Sequence, residues 1–583
     1  MVGRGFPICV QCGTRSNPCR CKVVGPTLGF VAFVAAAVVE WPVGALIYVF
    51  KHRKGRRIMA HPATVKRKII ITEAATTSLN AILLSSSPRL ASPRRVSLLL
   101  HSISDMSLVK GVILDESVLF VEGVESLIRT LFLSKIHTGI AYSIDLQDDK
   151  VSILKRIASL YSLHCFVIND PVNELVLPHW CDNQPGSIIY LVSSKKELLL
   201  TKFRSYNWSI VVLNVGGESG SGSESSCDTL NIENLEVFPF TICRLNKKLT
   251  GNNFLTVGYV MKPSRVEDFA KRGAFPLCPT QNGLMFVPLT AKIPLSSQLK
   301  DVDIILHKAT DEILSVEENK FTFTQNMQEL QRYLDQHQDL CVVDPLINIF
   351  PLLDRLEIQQ VLLGLLELNT EGGYLIRGAH FLKVHDFSKV DFTAGLADAG
   401  LSLPCIVKPK VACGVGDAHK MAIVFRVDDF KNLNVPLPAV IQEYVDHSST
   451  LYKFYVLGEK VFYAVKKSIP NADILIKSAI GNDLKPLEFD SLKSLPTAES
   501  TIVDSGASNE SIDIKLVTDA ANWLRRRLNL TVFGFDVVIQ EGTHDHVIVD
   551  VNYLPSFKEV PDDISIPAFW EAIRNKFDSI VSK

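Results

Sequence analysis

The stretch VFGFDVVIQEGTHDHVIVDVN, residues 532–552, sets Asp536, Asp550 and Asn552 among β-branched and aromatic residues. A carboxylate in such a run is costly unless something pairs with it. If a loop at Gly542-Thr543-His544 folds the stretch back, Glu541 faces Asp545 and Asp536 faces Asp550. Phe535, Val537 and Ile539 then share one apolar face with Val547, Val549 and Val551, while Asp536, Asp550 and Asn552 share the other. Like charges directly opposite each other destabilise a hairpin. Three oxygen ligands converging on one face suit Mg2+, a hard ion that also keeps water and phosphate oxygens. The plainer reading is a surface hairpin whose acids are merely solvated.

A second candidate lies upstream, in LSLPCIVKPKVACGVGDAHKMAIVF, residues 401–425. An apolar strand ends at Lys408-Pro409-Lys410, a loop carrying Cys413, Gly414 and Gly416 follows, and a second strand returns over Met421–Phe425. This is not the G-x-x-x-x-G-K-[ST] loop that runs into a helix. A Gly-rich hairpin with a preceding lysine can still cover ATP phosphates, because the backbone approaches closely and the lysine supplies a point charge. Next comes VIQEYVDHSSTLYKFYV, with Lys453 at the start of a strand, then KVFYAVKKSIP, with Lys466 and Ser468. Lysine strand, Gly loop, connecting QEYV, lysine strand and late paired acids is the order of an ATP-grasp enzyme. In that arrangement two lobes grip the nucleotide.

The elements around these residues divide the chain unevenly. Its 583 residues suggest three or four units of ordinary size. The net charge of -1 hides a basic N-terminus, since residues 1–105 hold 15 Lys/Arg against Glu40, Glu73 and Asp105. The remainder is net acidic, so a phosphate site must be a local basic cluster and no nucleic-acid partner is expected. Cys9, Cys12, Cys19 and Cys21 crowd residues 1–22 at a spacing that four zinc-bound thiolates would tolerate, although unpaired thiols are the plainer reading. The other eight cysteines are scattered, as reduced core thiols of a cytoplasmic protein are. Residues 23–50 have the length of a single membrane-spanning helix, interrupted by Glu40 and Pro42 and followed by a basic block. Residues 51–105 read as a disordered basic linker. From 106 to 245, apolar runs such as GVILD, TGIAYSI, HCFVI, SIIYLVSS and WSIVVLNV alternate with helical spacers, the pattern of a parallel sheet with crossovers. VILDES, with Asp115, resembles the start of a haloacid-dehalogenase phosphatase. Such a site wants a second acid two residues on, and Ser117 stands there, so this α/β domain is expected to be non-catalytic. The run GGESGSGSESS, residues 216–226, reads as a flexible loop.

Taken together, residues 254–580 resemble the inositol 1,3,4-trisphosphate 5/6-kinases, also called inositol-tetrakisphosphate 1-kinases. Residues 108–245 resemble the extra N-terminal region of a long plant form. The resemblance implies an α/β and α+β architecture. An inositol-binding lobe (254–350) and an ATP-grasp domain (351–583) follow an accessory haloacid-dehalogenase-like or Rossmann-like domain (106–245). In VGYVMKPSR, Arg265 takes the place of a substrate lysine, and in IILHKATDEIL, Lys308 is a second basic substrate residue. Lys408 would meet ATP phosphates, His419 the inositol phosphate, Gln442, Glu443, Tyr444 and Val445 the adenine, and Lys453 the substrate. Lys466 and Ser468 would contact nucleotide. Asp536, Asp550 and Asn552 would hold two Mg2+ ions, with Asn552 and Ser556 also at the substrate, and Lys408, Lys453 and Asp536 catalytic.

Three departures stand out: Cys413 in the Gly loop, Ser556 where the family has Gly, and Leu340 near a nucleotide-facing Arg of animal members, for which Arg355 is the nearest substitute. The implied reaction is Mg-ATP-dependent phosphoryl transfer to inositol 1,3,4-trisphosphate (5/6-OH) and inositol 3,4,5,6-tetrakisphosphate (1-OH). The expected unit is a cytoplasmic monomer that touches membrane only through residues 23–50. A carboxylate–amine ligase of the same ATP-grasp type and a non-catalytic inositol phosphate-binding protein are the alternatives.

Overall fold

A computed structural model describes residues 108–582 apart from 169–185, 194–202, 204, 206, 215–228, 318–319, 372, 481–482 and 497–511. The Cys-rich segment, the apolar run 23–50, the basic linker and the Ser-rich loop therefore lie outside the described residues.

The first sheet has six parallel strands in the order His164–Ile168, His137–Ser143, Gly111–Asp115, Ile188–Val192, Ser209–Leu213, Thr229–Ile232. Each quoted apolar run of this region forms one of these strands. Strands so covered are apolar on both sides. Val112, Leu114, Ile189 and Leu191 enter the main core, and the alternate Ile113, Tyr190, Ile210 and Val212 enter a second cluster. The strand order reverses at Gly111–Asp115, where a sheet of this kind opens its ligand crevice. Helix Phe238–Thr250 leads out of this domain, and its buried Asn246 ties it to both sides. The Asn246 Oδ1 accepts from Val109 N at 2.9 Å, and its Nδ2 donates to Leu277 O at 3.5 Å.

A second parallel sheet follows, ordered Cys341–Val343, Ile304–His307, Leu255–Val260, Leu284–Pro288. A two-stranded antiparallel ribbon, Ile313–Glu317 with Lys320–Phe323, and two five-stranded sheets follow. One is ordered Phe381–Val384, Ala439–Glu443, Cys405–Pro409, Lys420–Val424, Leu487–Asp490. The other is ordered Ile376–Gly378, His546–Tyr553, Val532–Ile539, Thr450–Leu457, Lys460–Lys467. The late hairpin thus sits in mid-sheet, which explains why Val532–Ile539 is buried nearly throughout.

The hairpin's register corrects the expectation near the turn. Phe535 pairs Val551 and Asp536 pairs Asp550 as expected, but a bulge follows and Val537 pairs Ile548. The loop is one residue longer than expected: Gln540 N donates to Asp545 O at 2.9 Å, with Gly542 at φ 85° and His544 at φ 61°. A turn of different length shifts the pairing by one residue, and the bulge at Val549 restores it before the acids. Val547 and Val549 consequently leave the face of Val551 and pack with Val538 and Val445, while Ile548 joins Val537 in the main core.

Gly534 is required where the chain after Asn552 crosses over the sheet. A Cβ there would lie 2.8 Å from Phe454 O and 3.0 Å from Pro555 Cγ. Gly534→Ala is expected to lower the unfolding free energy by about 1–3 kcal/mol through overpacking, read from urea midpoints. An unchanged midpoint would show that the crossing segment yields.

Candidate active site

Three adjacent strands present a row of side chains, Lys453 opposite Asp536 and Asp536 opposite Asp550. The Lys453 Nζ lies 3.0 Å from Asp536 Oδ2. Burial pushes the Asp536 carboxyl up to about 6, Lys453 opposing and Asp550 adding to the rise. Burial also works against the charge on Lys453, but Asp536 outweighs it and the ammonium is raised above its ordinary value. One residue pair further along, Asn552 Nδ2 donates to Asp550 Oδ2 at 2.9 Å. Two carboxylates and a carboxamide are hard oxygen donors, and two like charges face each other across the hairpin. These residues fit a divalent cation.

Lys408, in Cys405–Pro409, reaches across from the facing sheet. Its Nζ donates to Val549 O at 3.3 Å, the carbonyl of the bulge residue. Burial pushes its ammonium down to about 8, against the pull of Asp550. Arg355 turns its guanidinium to backbone carbonyls. It is buried beneath the Gly loop, its Nη1 donating to Pro409 O (2.8 Å), Val411 O (2.9 Å) and Ala418 O (3.1 Å) and its Nη2 to Ala412 O (3.3 Å). The loop is also seated on the preceding lobe. Gly414 has φ 88°, and a Cβ there would come within 2.7 Å of Ile313. Cys413 packs against the main core, its thiol raised by burial. Leu340 packs there too.

The QEYV connection divides by side chain. Gln442 is buried, and neither amide atom meets a hydrogen-bond partner. Glu443 is taken up by Arg377 and by His380 N (2.8 Å). Tyr444 donates to Pro470 O, and Val445 O accepts from His447 Nδ1 at 2.6 Å. Ser468 is buried, its N–H donating to Ser449 O at 2.8 Å.

The basic residues of the other lobe are held rather than loose. Arg265 is bidentate to Asp311, Nε–Oδ2 2.6 Å and Nη2–Oδ1 3.1 Å. Lys308 is buried, donates to Tyr553 O at the end of the hairpin, and lies over the Tyr553 ring. Tyr553 Oη donates toward His307 O (2.9 Å) and Val343 O (3.0 Å) and accepts from Asp344 N (3.0 Å), pinning the two sheets together. His419 Nδ1 lies 3.3 Å from Ser491 Oγ, and its pKa is lowered by burial and by Arg355. The Ser556 carbonyl accepts from Arg272. Lys466 is paired with Glu559, which also accepts from Tyr455 Oη at 2.7 Å. Sequence reasoning missed Asp311, Arg272, Tyr553 and Glu559. Asp311 stood inside a quoted motif and Tyr553 directly after one, whereas Glu559 and Arg272 sit in stretches with no local pattern.

Burial pushes Lys308 down to about 7, helped by the nearby Arg265. The unfolded chain keeps that proton to near 10.4. Between the two values the unfolded state binds more protons, so stability rises with pH, by up to about 1.4 kcal/mol per unit. Lys308→Met is expected to lose that slope between about pH 7 and 9 in urea midpoints. An identical slope in both proteins would contradict the burial assignment.

In the first domain, Asp115 is fully buried at the switch point. Its Oδ1 accepts from Ser117 N (2.9 Å) and Oγ (2.6 Å), and its Oδ2 accepts from Tyr190 Oη. Both oxygens are occupied within the domain.

Comparison with known proteins places these domains. Residues 377–569 match the inositol 1,3,4-trisphosphate 5/6-kinase ATP-grasp domain, residues 256–349 its pre-ATP-grasp domain, and residues 106–248 the N-terminal HAD-like domain described for ITPK4. The chain is 44% identical over 472 residues to inositol-tetrakisphosphate 1-kinase 6 of Oryza sativa subsp. indica, covering 78% of this chain and 84% of that one. It is 28% identical to inositol-tetrakisphosphate 1-kinase of Danio rerio, covering 52% and 75%. It is 29% identical to inositol-tetrakisphosphate 1-kinase 1 of Oryza sativa subsp. indica, covering 55% and 86%. A HAD-like domain, a parallel lobe and an ATP-grasp pair of sheets, matched in that order along one chain, and the 44% identity over 472 residues make it a member of the inositol 1,3,4-trisphosphate 5/6-kinase family.

Proposed function

We propose that the chain transfers the γ-phosphoryl group of ATP to a hydroxyl of an inositol polyphosphate, with inositol 1,3,4-trisphosphate (5/6-OH) and inositol 3,4,5,6-tetrakisphosphate (1-OH) as acceptors. The row Lys453–Asp536–Asp550, with Lys408 reaching in from the facing sheet, carries this reading. Two Mg2+ ions held by Asp536, Asp550 and Asn552 would neutralise phosphate charge. Lys408, Lys466 and Ser468 bind the ATP phosphates. The unpartnered amide of Gln442 and the Glu443–Val445 backbone take the adenine.

On the acceptor side, Arg265 spends Nε and Nη2 on Asp311, which fixes its plane and leaves Nη1 for a phosphate. Lys308, His419, Asn552 and Ser556 complete that side. Lys453 has three donors, and one ties it to Asp536 while the others turn to the substrate. Aligning the hydroxyl with the γ-phosphorus does most of the work, and Asp536 or a substrate phosphate accepts the hydroxyl proton. The catalytic unit acts as a monomer in the cytoplasm, and the six described cysteines, all free thiols, support that compartment. Membrane contact comes only through residues 23–50.

The test is the purified chain with ATP, Mg2+ and a panel of inositol tris- and tetrakisphosphates, followed by chromatography. Transfer to at least one isomer is expected. ADP release only when an acid and an amine are both present would point to a ligase instead. Release of all the protein from membranes by salt would remove the membrane segment.

A further inference from the structure

A polyphosphate site should be lined with cations, yet one carboxylate stands in it with no part in the roles above. Glu559 Oε2 accepts from Tyr455 Oη at 2.7 Å, and its Oε1 is paired with Lys466. Tyr455 pairs Gly534, and Gly534 pairs Asn552, one row beyond Lys453–Asp536–Asp550. Residues two apart on a strand share a face. Tyr455 therefore hangs Glu559 over the face that carries Lys453, Asp536 and Asn552. Gly534 brings no side chain to this row, so Pro555 crosses there and delivers the loop that bears Glu559.

The loop is fixed in place. Arg272 donates to Ser556 O and to Phe557 O (3.3 Å), lies over the Phe557 ring at 4.8 Å, and pairs with Asp562 at 2.6 Å. The carboxyl is also charged. Burial works against ionisation, but Lys466 and Tyr455 outweigh it and hold the pKa below its ordinary value. That negative charge is felt at Lys453.

We propose that Glu559 is a specificity-determining residue that makes the site select the ring position facing it as a free hydroxyl and reject a phosphate there. A carboxylate accepts a hydrogen bond from a hydroxyl but finds only like charge in a phosphate. Lys466 neutralises part of the charge and so sets how strict the rejection is. The device is a built-in repulsion and needs no contact with the favoured substrate's phosphates. The inference rests on the inositol polyphosphate reading.

The experiment uses the full chain and compares inositol tris-, tetrakis- and pentakisphosphates, by kcat/KM and by calorimetric binding in the presence of ADP. Glu559→Gln keeps the hydrogen bond to Tyr455 and removes the charge. It is expected to raise the ratio of pentakisphosphate to trisphosphate by about tenfold in both measurements. Lys466→Met leaves Glu559 uncompensated and is expected to lower that ratio. Ratios within about twofold of wild type in both variants would overturn the inference while leaving the kinase reading intact. A wild-type chain that transfers to no inositol phosphate would remove the kinase reading itself.

Discussion

Asp550→Ala is expected to lower kcat for phosphoryl transfer by at least about 10²–10³-fold, the scale on which one lost transition-state charge contact acts. Asp550 is the carboxylate placed between Asp536, across the hairpin, and Asn552, two residues on. Its charge also opposes the fall in the Lys408 pKa that burial produces. Its removal therefore weakens the cation site and loosens the Lys408 ammonium, proposed above to meet ATP phosphates. The side chain is only partly buried, so the fold should survive, and thermal midpoints of the two proteins should agree within a few degrees, as for about 1 kcal/mol of change. Full activity in the variant would contradict the assignment of the acids. A fallen midpoint with activity lost in proportion would mean that Asp550 is structural.

For Arg355→Ala the expected loss is one of stability, at least about 1–3 kcal/mol, because buried backbone carbonyls lose their donor. Pro409, Val411, Ala412 and Ala418 would each lose a donor to the carbonyl. A buried carbonyl without a partner costs the desolvation of that group. Arg355→Met restores volume but not the donors, so it should recover only a minor part of the loss. KM for ATP should rise in both variants, since the unsupported loop is the one that carries Gly414 and leads out of the Lys408 strand. A urea midpoint equal to that of wild type would show that the loop holds its shape without the guanidinium.

Much of the site was legible because it is local. Alternation along 532–539 and 546–553 put Asp536 and Asp550 opposite each other, and the pairing holds there. The same alternation failed nearer the turn, because loop length sets register and residues 540–545 carried no signal for the longer loop. The VILDES start pointed to an accessory domain expected to be non-catalytic, and the Asp115 oxygens accept from Ser117 and Tyr190 within it. Five of the six strands of that domain were visible as apolar runs, and the central ones are apolar nearly throughout because both faces are covered.

The sequence by itself determined the chemical types and their order: lysine, Gly loop, lysine, paired acids. It also determined the strands that carry them, because hydrophobic period and β-branching act within a few residues. Only the tertiary structure decided what each charge does. Arg355 came to rest under the Gly loop, Arg265 on Asp311, Lys466 on Glu559 and Arg272 on the loop of Ser556. The partners in these contacts are up to 284 residues apart. Side-chain charge has no period along a chain, and its partner is chosen by which strands and loops the fold brings within about 4 Å. The same few residues could have been a solvated surface. The two sheets and the lobe before them made a site of them, because burial leaves a charge stable only where another group meets it.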